Sequence, residues 1–98
     1  MEDKQQQAYL DKVNARIKEF SAKMEQLKAK ADQVDAETKI KYNRQIEKLA
    51  HKKQEVQTKL NAIKVSGKGA WNSLKIGLDA AISDLKNGIA KAISGFEK

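Results

Sequence analysis

His51, the single histidine, is the first residue to weigh for chemistry. A metal site needs several ligands at set spacing, and the chain has no second histidine and no cysteine. His51 stands between Leu49 and Lys53, beside Lys52, and reads as a surface residue. The carboxylates form no better set. Asp79 and Asp84 flank an apolar stripe, but paired-carboxylate catalysis needs two groups held in a pocket with displaced pKa values. Acidic residues here recur at helix-surface spacing near lysines, the pattern of solvated ion pairs. Gly67-Lys68-Gly69 is too short to cradle a phosphate, and no GxGxxG pattern occurs. A Ser-His-Asp arrangement also lacks its parts. The expectation is a non-enzyme with no cofactor, no metal and no small-molecule substrate.

Charge offers a second kind of chemistry. The net charge is +7, and residues 34–65 hold the largest excess, with eight basic against four acidic side chains. Lys39, Lys41, Arg44, Lys48, Lys52 and Lys53 are the candidates for contact with a polyanion such as RNA. Trp71 and Tyr42 are the aromatics placed to stack on bases. Their spacing also suits a core, and aromatics are sparse among the basic residues, so nucleic acid ranks low among the expected partners.

The most informative stretch is Ala70 to Phe96, which carries two stripes at steps of three and four. Trp71, Leu74, Leu78, Ile82, Leu85, Ile89, Ile93 and Phe96 form the large stripe. Ala70, Gly77, Ala81, Gly88, Ala92 and Gly95 form the small one. Steps of three and four keep residues on one helix face. A helix built this way predicts cover on two sides, a core against the large stripe and a close-packed backbone against the small one. Trp71, Leu74, Gly77, Leu78, Ala81, Ile82, Leu85 and Ile89 are therefore the candidate partner and packing residues. With Trp71 near its start and Lys75, Lys86 and Lys91 on polar positions, the same helix resembles one that lies on anionic lipid.

The elements that must position these residues are also helical. There are 98 residues with no proline, no cysteine and five glycines, and 34% of the chain is charged. Good helix formers dominate. Leu10, Val13, Ile17, Phe20, Met24, Leu27, Ala31 and Val34 form a first heptad seam, and Tyr42, Ile46, Leu49, Lys53, Val56, Leu60 and Ile63 a second. Lys53 sits at a seam position, either to fix register or to extend its ammonium to water along the edge. The pattern repeats at an offset of ~29 residues, aligning Val13, Tyr42 and Trp71, then Phe20, Leu49 and Leu78. Because 29 residues is close to eight helical turns, the repeat fits two topologies. One is an antiparallel three-helix bundle with helices at about 4–33, 36–64 and 70–96. The other is one long helix to about residue 65 with the last helix folded back. Asp35 as an N-cap favours the bundle. Asp35 with Lys39 and Glu37 with Lys41 would then brace the second helix. A compact chain of this length implies a radius of gyration of ~13 Å.

Two segments carry a resemblance to a known family. Ala70-Trp71, Leu74-Lys75, Gly77, Ala81 and Leu85 are similar to the C-terminal signature of small bacterial coiled-coil proteins labelled stress-response proteins. Upstream, DAETKIKYNRQIEKL from Asp35 to Leu49 resembles the same family. The resemblance implies an all-α fold with no enzyme activity and no cofactor.

The functional expectation is a single all-α domain that acts through helix-mediated contact, with a protein partner or with itself as a homo-oligomer. A membrane-surface protein and a basic polyanion-binding module are the alternatives. No apolar run is long enough to span a bilayer, and the polar start, MEDKQQQAYLDK, holds no signal-like core. The expected location is the cytoplasm.

Overall fold

The computed structural model describes residues 2–96, with side chains from 4 to 95. Three helices follow one another: α1 Glu2–Ala31, α2 Ala36–Lys64 and α3 Lys68–Phe96. They pack as an all-α three-helix bundle. The side chain of Phe96, placed in the large stripe, lies outside the described residues.

The chain bends at Val34, so the long-helix topology does not form. The physical cause is local. Asp35 adopts an extended backbone, φ −65° and ψ 167°, and its carboxylate accepts a 2.8 Å hydrogen bond from the Thr38 amide. That satisfies one of the free N–H groups at the start of α2. Before the bend, the Asp32 and Gln33 amides donate to the carbonyls of Lys28 and Lys30. Lys39 reaches back across the bend to Asp32 at 3.2 Å rather than to Asp35, whose carboxylate is committed to the cap. α1 accordingly ends at Ala31, two residues before the sequence expectation.

The second turn is tighter than its glycines suggest. The Ser66 hydroxyl donates to the Ile63 carbonyl at 2.9 Å, and the Ala70 amide donates to the Gly67 carbonyl. α3 therefore opens at Lys68, and Gly69 lies inside its first turn rather than before it. Neither Gly67 nor Gly69 has a positive φ.

Contacts along the chain set the direction of each helix. Tyr42, near the start of α2, meets Gly95 at the end of α3, and Lys52 meets Asp84. Tyr9 of α1 meets Trp71 and Asp79 in the first half of α3. So α2 runs antiparallel to both neighbours, while α1 and α3 run side by side in one direction. The bundle measures 53 × 17 × 17 Å, with a radius of gyration of 15.8 Å. This exceeds the ~13 Å of a compact globule because 29-residue helices are ~44 Å long and form a rod when laid side by side.

The core is a continuous row from three seams. Val13, Phe20 and Leu27 come from α1, Leu49, Val56 and Leu60 from α2, and Leu78, Leu85 and Ile89 from α3. No polar or charged side chain is buried among the described residues. Lys53 is half-buried at the α1/α2 edge beside Met24 and Glu25, so its stem covers apolar surface while the charge stays outside.

Candidate functional site on the third helix

α3 presents four different sides, and each follows from its sequence. The inward side is the large stripe. Leu78, Ile82, Leu85 and Ile89 are buried, while Trp71 and Leu74 are half-buried at the end of the core. The apolar face that would meet lipid is thus already covered by α1 and α2.

The side toward α2 holds the small stripe, and the structure uses only part of it. At Gly88 a β-carbon would come within 2.8 Å of Leu49 Cδ2, so α2 packs directly on this backbone. Ala92 is buried and Ala81 half-buried. Gly77 and Gly95 have open space where a β-carbon would stand. Beside Gly88, Lys52 pairs with Asp84 at 3.2 Å.

Toward α1 lies a polar and aromatic cluster that the seam pattern does not announce. The Tyr9 phenol donates a 2.6 Å hydrogen bond to Asp79 Oδ1. Its ring meets Trp71 edge-on, with centroids 5.9 Å apart, and the Lys75 ammonium lies 5.3 Å from the same ring centre. Trp71, Lys75 and Asp79 are spaced by four residues, so one row of α3 wraps a single tyrosine. Partial burial, then the hydrogen bond and negative charge of Asp79, push the Tyr9 phenol well above its ordinary value. It therefore stays protonated as a donor.

The outward side is a second heptad seam. Ser73, Ile76, Ala80, Ser83, Asn87 and Ala90 alternate steps of three and four, and all six are exposed. None is charged, five are no larger than asparagine, and Ile76 is 71% exposed. The outward faces of the other helices differ. On α1, Lys4, Asp11, Lys18 and Glu25 alternate with Ala8, Ala15, Ala22 and Ala29, and on α2 Arg44, Glu47, His51 and Glu55 stand outward, so charge interrupts both faces. Small uncharged residues do not register as an apolar stripe, which is why sequence periodicity passed over this seam.

The six basic candidates of the middle segment do not share one surface. Lys39 turns to Asp32, Lys52 and Lys48 border the α2/α3 groove, and Lys53 lies at the α1/α2 edge. Lys41 and Arg44 are exposed on α2, as is His51. Among the described residues no three His, Cys, Asp or Glu side chains gather as a metal site, and no helix is long and apolar enough to cross a membrane. Compared with known proteins, the chain matches no family model, no curated protein and no solved structure.

Proposed function

We propose that this protein is a non-catalytic helical module that self-assembles through the outward seam of α3. One observation carries the reading: α3 has a full second heptad of small, uncharged, exposed residues on the side opposite its core stripe. Charged residues interrupt the matching faces of α1 and α2 at every second seam position or more often, whereas none interrupts this one from Ser73 to Ala90.

The seam is complementary to itself. Laid antiparallel about a two-fold axis at Ser83, a second copy sets Ile76 against Ala90 and brings Ala80 within one residue of Asn87. The one large side chain then meets a small one at each end of the contact. Small residues also let two helix axes approach closely, and a C2 contact uses the same patch on both copies. The resemblance to the stress-response coiled-coil family points the same way, toward contact rather than catalysis. It accords with a chain whose apolar lipid-type face is spent on its own core.

Sedimentation equilibrium across micromolar concentrations tests the reading. Wild-type chain should show a concentration-dependent dimer, and Ala80→Glu should return it to monomer with its helicity intact. A wild-type chain that stays monomeric throughout, or a dimer that Ala80→Glu leaves unchanged, overturns it.

A further inference from the structure

We propose that the groove between α1 and α3 binds single-stranded RNA. The groove holds about 320 Å³ and is bordered by Lys12 and Arg16 from α1 and by Lys75 and Lys86 from α3. None of these four cations is in an ion pair among the described residues. The groove's carboxylate, Asp79, is occupied by the Tyr9 phenol. Four positive charges therefore face one another across a concave channel with a single, already engaged negative charge.

The channel continues past Tyr9 and Lys75 into a second hollow of about 390 Å³, where Trp71, Lys68, Gln5, Gln6 and Asn72 form the walls. Along the bundle four cations come first, then aromatic rings and amides together with Lys68. Backbone phosphates suit the first part. Bases stack on aromatic rings, and amide groups offer both a donor and an acceptor to base edges and ribose hydroxyls. A channel between two helices admits a strand, whereas a flat bilayer surface reaches only its rims. The α2 lysines lack this arrangement, since Lys39 and Lys52 are paired with Asp32 and Asp84.

Anisotropy of a labelled oligouridylate of ~12 nucleotides tests the proposal, with the intrinsic fluorescence of Trp71, the only tryptophan, as a second readout. Four phosphates neutralised on a single strand give a slope of log affinity against log salt of about −3. Binding at about 50 mM salt with that slope and a change in Trp71 emission is the expected result. The pair Lys12→Ala/Arg16→Ala should weaken binding about tenfold or more and reduce the slope by about half, while Lys41→Ala/Lys48→Ala changes affinity by less than about twofold. None of the four residues is in an ion pair among the described residues, and helicity verifies that each variant folds. The proposal is overturned by no binding at low salt, or by loss with the α2 pair in place of the groove pair. Tighter binding of the matching oligodeoxythymidylate also overturns it, as does capture by phosphatidylserine vesicles without any by the oligonucleotide.

Discussion

Leu49 Cδ2 of α2 lies 2.8 Å from the point where a β-carbon on Gly88 of α3 would stand. At Gly77, about three turns earlier on the same stripe, nothing lies within 4 Å of that point. The pair separates two causes for a helical glycine. Replacing glycine by alanine inside a helix gains about 1 kcal/mol from backbone entropy. Gly77→Ala should realise that gain in urea unfolding, and Gly88→Ala should gain less, because Leu49 must shift within a packed core. Equal gains at the two positions would contradict the close packing of α2 on Gly88.

Burial grades the large stripe. Leu78 is fully buried whereas Trp71 is partly buried at the end of the core. Leu78→Ala should cost ~2–5 kcal/mol in denaturant unfolding. In the same measurement Trp71→Ala should cost less than the ~3–5 kcal/mol of a fully buried aromatic ring, because part of the ring is already hydrated. The sequence alone placed both in one core, and the structure sets Trp71 at its rim beside Tyr9.

The Tyr9 phenol ties stability to alkaline pH. Its pKa is raised in the folded chain by partial burial first and by Asp79 second. A group raised on folding contributes stability that is complete below its unfolded value, ~10 for tyrosine, and is lost as pH rises toward the folded value. Thermal unfolding should therefore show the wild type losing stability more steeply than Tyr9→Phe above about pH 10. Parallel curves for the two proteins would contradict the Tyr9–Asp79 hydrogen bond.

Asp35 gives the opposite dependence. Its hydrogen bonds to Thr38 lower its pKa. The cap's contribution is present above the unfolded value, ~3.9, and is lost as pH falls through the lower folded value. Asp35→Ala should melt at a lower temperature than wild type at neutral pH, and the difference should vanish in acid. A difference independent of pH would mean that the carboxylate is not the cap.

Much of this architecture was legible in the sequence. Val13, Phe20, Leu27, Leu49, Val56, Leu60, Leu78 and Leu85 fall on their seams and are buried, because one apolar face per helix is enough to specify a bundle. Asp35 as a cap favoured a bend at Val34 without deciding it, because no glycine or proline marks the place. The surfaces were harder to read. Tyr9 stands one residue before seam member Leu10, so its contacts with Trp71, Lys75 and Asp79 depend on the parallel placement of α1 and α3. The cations Lys12, Arg16, Lys75 and Lys86 are scattered in the sequence and meet only after folding. Lys39, Lys52 and Lys53 are close in sequence yet diverge around α2, because a helix turns ~100° per residue.

The most direct test of self-assembly through α3 uses the absence of native cysteine. Ser83→Cys puts one thiol on the two-fold axis, and Glu47→Cys puts one on the outward face of α2. Under mild oxidation at micromolar concentration, non-reducing electrophoresis should show the Ser83→Cys chain converting rapidly to a covalent dimer while Glu47→Cys remains largely monomeric. Equal rates of cross-linking for the two variants, or no dimer from Ser83→Cys, would contradict the antiparallel pairing of two α3 helices.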